Sequence, residues 1–379
     1  MMRQINIGYY SSKNYLDKTT FSGTLYHMHK SLGNQNINLI NLGNPRRPSL
    51  WDKPLKVIDK ASALFQEKEP DPKTFYNQFN RSVQKTLSHQ PCDLIFAPVS
   101  SKELEFLETD LPILYVSDAT PKLIKETYKI YSNEEEFSDA SEQERIAVSK
   151  ADKLVYSSKW AANSAINDYG ANPDLVEVVP FGANVDNIPD ASETLKKCQP
   201  SQCRLLFIGK DWERKGGNIA YQTLLSLLEM GVDAELLMIG CVPPSEFQHE
   251  RLKNIPFLNK NIPEEQEQFS QLLLDSHFLV FPTRADCSPI VICEANAYGI
   301  PVVTTDVGGI PTILKEGVNG YMLTLSAGGE EYAKKIATSF SDKEAYQQLV
   351  RSCRKEYDES LNWNKWAESM YNIMTKMIS

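Results

Sequence analysis

Two acidic residues eight positions apart, Asp286 and Glu294, frame the segment Asp286-Cys287-Ser288-Pro289-Ile290-Val291-Ile292-Cys293-Glu294. Ser288 is a good helix N-cap and Pro289 a good first helical residue, while Gly299 and Pro301 stop a helix cleanly. The pattern predicts a loop that carries Asp286 and a helix that carries Glu294 within its first turns. N–H groups at such a helix start, here those of Ile290 and Val291, have no partner inside the helix and attract phosphate. A diphosphate needs donors and a sugar diol needs acceptors. An anion site between two carboxylates therefore suits a nucleotide sugar better than it suits hydrolysis by paired acids.

A second stretch, Phe207-Ile208-Gly209-Lys210-Asp211-Trp212-Glu213-Arg214-Lys215-Gly216-Gly217, reads as a strand that turns through basic residues into a helix. Lys210 and Lys215 offer point charges for phosphate, and the planar fork of Arg214 can chelate its oxygens. Nearer the N-terminus, Ser22-Gly23-Thr24 opens a helix after the first strand. Asp118 follows the strand Ile113–Ser117. On spacing alone each of these has an everyday alternative. Asp286 and Glu294 can be solvated charges, the basic turn an exposed turn, and Asp118 an N-cap for the helix after Pro121.

The elements that must position these groups alternate along the chain. Strands are predicted at Ile5–Tyr9, Ile37–Leu42, Asp93–Ala97, Ile113–Ser117, Lys153–Ser157 and Leu175–Val179, with helices at Gly23–Leu32, Lys73–Ser88, Asp139–Lys150 and Lys159–Tyr169. The stretch Asp186–Gln202, with Pro189 and Pro200, reads as a linker. Alternation then restarts with strands Leu205–Ile208, Glu235–Ile239, Phe278–Phe281 and Val302–Thr305 and helices Asn218–Met230, Glu264–Leu274 and Pro289–Tyr298. A closing segment, Ser341–Met377, is helical in pattern and holds Trp363 and Trp366. Such alternation means α/β architecture with parallel sheets covered on both faces. Two doubly wound domains facing each other leave a cleft at the carboxyl ends of their strands.

Composition narrows the partners. The 379 residues suit two domains, and a net charge of −9 argues against nucleic acid as a main partner. No apolar run approaches the ~18–20 residues of a membrane helix, and no long apolar leader opens the chain. A cytoplasmic protein, at most peripheral to a membrane, is expected; the Arg46-Arg47 and Trp51 loop is the place where it could touch a membrane or an acidic saccharide. Seven scattered cysteines and five histidines without ligand spacing indicate neither disulfides nor a metal site. Neither G-x-G-x-x-G after a strand nor a G-x-x-x-x-G-K-[ST] loop is present, which weighs against a dehydrogenase or an ATPase.

The Asp286–Glu294 segment resembles the E-x7-E signature of the retaining GT-B glycosyltransferases of family four. The resemblance continues through Gly299–Thr305, Gly308-Gly309-Ile310-Pro311 and Glu316-Gly317-Val318-Asn319-Gly320. Gly209–Gly216 is similar to the family's G-R-L-x-x-x-K-G loop, with Lys210 at its Arg and Lys215 at its Lys. Ser157-Ser158-Lys159-Trp160 and Val178–Asp186 match its S-x-W and V-x-P-x-G-V-D stretches. The sequence departs from the family at Asp286 for Glu, Pro289 for Gly, Thr312 for Glu and Ser117 for His.

The resemblance implies two Rossmann-like domains, an acceptor-side one over 1–190 and a nucleotide-sugar-binding one over 203–355, with a helix in 356–379 packing back on the first. It implies a retaining, metal-independent transfer of a hexose-type sugar from a UDP- or GDP-sugar to a hydroxyl of a saccharide, lipid-linked or other acceptor, with no further cofactor. Asp118, Lys210, Arg214, Lys215 and Asp286 would be catalytic, and Gly23, Gly209, Ser288, Pro289, Ile290, Val291 and Glu294 would bind donor. Glu294 would hold the ribose hydroxyls and Asp286 would contact the transferred sugar. Two rival readings stay open: a catalytically degenerate nucleotide-sugar-binding partner subunit, and a nucleotide-sugar 2-epimerase. The loops that would choose the acceptor, 11–20, 44–52 and 133–144, carry no readable motif.

Overall fold

The computed structural model describes residues 4–43, 72–128, 130–194 and 201–379. The Arg46-Arg47 and Trp51 loop lies outside them.

Two parallel six-stranded sheets organise the chain. The first contains β1 (Ile5–Tyr9), β2 (Ile37–Asn41), β3 (Leu94–Pro98), β4 (Ile113–Ser117), β5 (Lys153–Tyr156) and β6 (Val176–Val178), in the order β2-β1-β3-β4-β5-β6. The second contains β7 (Cys203–Ile208), β8 (Ala234–Ile239), β9 (Leu252–Ile255), β10 (Phe278–Phe281), β11 (Val302–Thr305) and β12 (Gly320–Leu323), in the order β12-β11-β10-β7-β8-β9. Central strands such as β3, Leu-Ile-Phe-Ala-Pro, and β10, Phe-Leu-Val-Phe, are buried at every residue. Continuous apolar runs are what a parallel sheet with both faces covered requires.

The sequence reading missed the edge strands β9 and β12. Leu-Lys-Asn-Ile and Gly-Tyr-Met-Leu are short and half-exposed, so no apolar run marks them. The helix Gly329–Ser341 is missing from that reading as well, whereas the helix after Pro121 runs Pro121–Tyr128.

The closing segment is two helices. Lys343–Glu359 sends Tyr346, Leu349 and Val350 into the core of the second sheet. The chain then breaks at Asn362, whose side chain accepts the Lys365 N–H at 2.9 Å as an N-cap. The helix Trp363–Met377 that follows places Trp363, Trp366, Met370, Ile373 and Met374 in the core of the first sheet, with Ile7, Leu25, Met28 and Phe96. That helical spacing gives one apolar face, and the face is buried in the domain the chain left earlier.

Candidate active site

A cleft of about 360 Å³ opens between the two sheets, at the carboxyl ends of β4, β7, β8 and β10. Of the residues singled out from sequence, Asp118, Gly209, Lys210, Arg214, Lys215, Asp286, Ser288, Pro289, Ile290, Val291 and Glu294 all line it. Gly23 does not. Its φ of +85° turns the loop into the first helix, and a Cβ there would lie 2.9 Å from the Lys18 carbonyl oxygen and 3.7 Å from Asn184 Nδ2. The packing against Lys18 and Asn184 leaves Phe21, Ser22 and Thr24 to face the cleft.

The basic turn is held by its own residues. Asp211 caps the short helix Trp212–Lys215 by accepting the Arg214 N–H at 3.0 Å. Gly216 then reverses the chain at φ +74°, where a Cβ would lie 2.1 Å from the Pro282 carbonyl oxygen. Lys215 pairs with Asp286, and its ammonium sits 4.7 Å from the Phe281 ring centre. Gly209 makes room for it, since a Cβ there would be 2.7 Å from Lys215 Cγ. Arg214 donates through Nη1 to the Ala285 carbonyl at 3.0 Å, while Lys210 stands exposed over Phe257. Three cations therefore share one strand end and differ in freedom: Lys215 is paired, Arg214 anchored, Lys210 in solvent.

The helix bearing Glu294 runs Ile290–Ala297, one residue later than expected. Pro289, at ψ 89°, occupies the N-cap position instead of the first turn. Ser288 does not cap, because its hydroxyl reaches across the cleft to donate to Ser157 Oγ. The departure at position 312 has a similar use: Thr312 Oγ1 accepts the Lys159 N–H at 3.1 Å, so a residue that differs from the family pattern bridges the domains. Gly308 and Gly309 let this segment lie on the Asp286 loop, since Cβ atoms there would fall 2.0 Å and 1.9 Å from the carbonyl oxygens of Asp286 and Cys287.

Sequence reasoning missed Lys260. Its ammonium lies 2.6 Å from Glu294 Oε1 and 3.3 Å from the Asn184 carbonyl oxygen. Asp286 and Glu294 are thus each paired with a lysine, Lys215 and Lys260 respectively. Lys260 comes from the loop after β9, an edge strand with no periodic apolar signal to mark it. The Glu294 side chain is 3% exposed and that of Lys260 25%. Breaking a fully buried pair costs ~3–5 kcal/mol, and partial solvation of the lysine lowers this to about 2 kcal/mol. Lys260→Met should therefore lower stability by about 2 kcal/mol in urea unfolding. Adding Glu294→Gln should recover most of it, because the stranded charge is then gone. Additive losses in the double variant would contradict the pairing.

Asp118 lines the first-domain wall and is not the residue next to the helix Pro121–Tyr128, a place held by Thr120. Burial, with the Asp286 carboxylate adding to it, pushes its carboxyl up to about 6.

The loop before the first helix also reaches the second domain: Lys18 N–H donates to Asn261 Oδ1 at 3.2 Å, and Asn261 Nδ2 donates to Asp17 Oδ1 at 3.0 Å. Asn184 ties this loop to the crossing point. It donates to the Ser22 carbonyl at 2.9 Å and accepts the Trp363 Nε1–H at 2.9 Å. Among the described residues no helix is long and apolar enough to cross a membrane, and no group of three or more His, Cys, Asp or Glu side chains is placed to hold a metal ion.

Residues 202–342 match the model of the family described as glycosyl transferases, group 1. The D-inositol 3-phosphate glycosyltransferase of Corynebacterium diphtheriae is 26% identical over 56% of this chain and 54% of its own length. The spore coat protein SA of Bacillus subtilis is 24% identical over 45% of this chain and 48% of its own. The chain spans about half the length of these curated relatives. Among solved structures, sucrose-phosphate synthase from Thermosynechococcus elongatus superimposes with a TM-score of 0.70 at 14% identity, covering 98% of this chain and 99% of that one. Anabaena HepE in complex with UDP-glucose gives 0.63 at 14% identity, covering 98% and 100%. The sequence of the second domain is thus similar to the group 1 glycosyl transferases, and the chain as a whole folds as two Rossmann-like domains in the GT-B arrangement.

Proposed function

We propose that the protein is a retaining glycosyltransferase that moves a hexose-type sugar from a UDP- or GDP-sugar to a hydroxyl group of a saccharide, lipid-linked or other acceptor, without a metal. One observation carries this reading: a single interdomain cleft collects Lys210, Arg214, Lys215 and the first N–H groups of the helix Ile290–Ala297 between the acids Asp286 and Glu294. A fold shared with a protein that binds UDP-glucose supports it.

In this reading the diphosphate lies against the cations and the amides of Ile290 and Val291, the ribose hydroxyls on Glu294, and the transferred sugar by Asp286. As the anomeric bond breaks, charge grows on the leaving oxygen, and fixed donors aimed at it stabilise that charge more than they stabilise the bound donor. The acceptor hydroxyl attacks on the face the diphosphate leaves, and a departing phosphate oxygen takes its proton. No side chain is required as nucleophile.

Asp118, ionised, accepts a hydrogen bond from a hydroxyl of the sugar or the acceptor. With its carboxyl raised to about 6, it protonates as pH falls through that value and loses the charge that makes it a strong acceptor. We therefore expect kcat/KM to fall about tenfold per pH unit below pH ~6, and Asp118→Asn to lower the plateau and abolish that limb. An unchanged acid limb in the variant would assign it to another group.

The test of the reading as a whole is a thermal-shift panel of UDP, GDP, ADP and their common sugar esters, with and without magnesium. A ligand at 100 times its Kd stabilises by ~2.7 kcal/mol. A metal-independent shift with one diphosphate, followed by a product whose anomeric configuration by NMR equals the donor's, supports the proposal; no shift with any nucleotide overturns it.

A further inference from the structure

Lys210, Arg214, Lys215, Asp286 and Glu294 are all contributed by the second domain, and a first-domain tyrosine reaches in among them. Tyr128 ends the helix Pro121–Tyr128 and lines the cleft. Its hydroxyl oxygen accepts the N–H of Cys287 at 3.0 Å, and its ring centre lies 4.9 Å from the guanidinium carbon of Arg214. Cys287 stands between Asp286 and Ser288, and Arg214 is already bonded to Ala285 on the same loop. One tyrosine thus grips both a cation and the loop that carries the first acid, from across the domain boundary.

We propose that Tyr128 is the positioning residue through which closure of the first domain fixes Arg214 and the Asp286 loop for charge stabilisation; this rests on the transferase reading above. The physical case has two parts. Among the described residues Arg214 has one strong anchor besides Tyr128, the Ala285 carbonyl, because its Nε lies 3.6 Å from the half-exposed Asp211 carboxylate. A planar ring against the guanidinium removes the remaining swing of a long side chain, as cation–π contacts do. The Cys287 N–H, in turn, belongs to a backbone that no regular element holds, and the phenol oxygen supplies its acceptor. When the domains separate, both contacts are lost together. The cation and the acid loop are in their working places only when the cleft is shut, which couples chemistry to the exclusion of water.

Two substitutions separate the parts. Tyr128→Phe keeps the ring on Arg214 and loses the hydroxyl; Tyr128→Leu loses both. Hydrogen exchange of the ligand-free proteins, followed by mass spectrometry, reads the loop directly. Peptides covering residues 285–289 are expected to exchange about tenfold faster in both variants, with the strands β7 and β10 unchanged. Turnover is read as UDP released from UDP-glucose, or GDP from its glucose ester, with water as acceptor. Tyr128→Leu should lose ~10²-fold in kcat, the scale of a misplaced group, while the Kd for UDP or GDP by calorimetry stays within about threefold. Tyr128→Phe should retain the larger share of kcat. Unchanged exchange at 285–289 in both variants, or a kcat for Tyr128→Leu within about twofold of the parent, overturns the proposal. If the parent protein binds neither UDP nor GDP, the transferase reading fails, and the exchange experiment still decides whether Tyr128 holds the loop.

Discussion

Lys215→Ala is expected to lower turnover by ~10²–10³ while leaving the fold in place, because a fixed charge aimed at a developing anion contributes that much in comparable sites. Position decides this more than charge. Lys215 is half-buried beside Asp286 and against the Phe281 ring, and Gly209 has no side chain to obstruct it. Under the proposed transfer, an ammonium held in that way would need little rearrangement as a leaving diphosphate gains charge, whereas exposed Lys210 would have to give up solvent and side-chain freedom. Lys210→Ala should accordingly cost far less. Asp286 loses its partner in the Lys215 variant, so a lower melting temperature is expected alongside lost turnover. The measurement is nucleoside diphosphate release by purified variants, with circular dichroism confirming the fold. Turnover of Lys215→Ala close to that of the parent protein would remove Lys215 from the reaction.

Trp366→Ala should destabilise the first domain by ~3–5 kcal/mol, the usual cost of deleting a large buried ring. Trp366 is 1% exposed, lies 5.2 Å from Trp363 and 6.1 Å from Phe96 between ring centres, and sits in the core built on β1 and β3. Its Nε1–H is buried without a hydrogen-bond partner among the described residues. An unsatisfied donor offsets part of what the ring contributes. Trp366→Phe, which removes the N–H and keeps an aromatic ring, should therefore cost much less than alanine. Differential scanning calorimetry checks both. An alanine variant that melts at the parent temperature would mean that the closing helix contributes little to the first domain.

The central strands were legible because they are apolar on both faces; β1, β4, β10 and β11 were located to the residue. Glycines and the proline at the ends of the Glu294 helix placed it to within one residue. The miss at Ser288 has a clear cause: capping preference is local, while the Ser288 hydroxyl is taken by Ser157 from the other domain, a contact invisible in either segment. Lys260 and Tyr128 escaped for the same reason. A lysine in a polar loop and a tyrosine at a helix end carry no periodic signal, and only the docking of two domains gives them partners. Gly23 shows the converse, a glycine read as a ligand contact whose positive φ serves the turn itself.

The chain passes between the domains twice, after β6 and again before the closing helix, and the two passages touch. Ala183 N–H donates to the Leu361 carbonyl at 3.2 Å, and a Cβ on Gly182 would collide with the Trp363 backbone nitrogen at 2.5 Å. Two neighbouring tethers act as a two-pin hinge: sliding and twisting strain both pins, and rotation about the line through them strains neither. The cleft consequently has one easy way to open, as jaws about a fixed axle. The rim contacts of Asp17 and Lys18 with Asn261 swing apart on such an arc, and any ligand of the cleft must enter and leave along the same path.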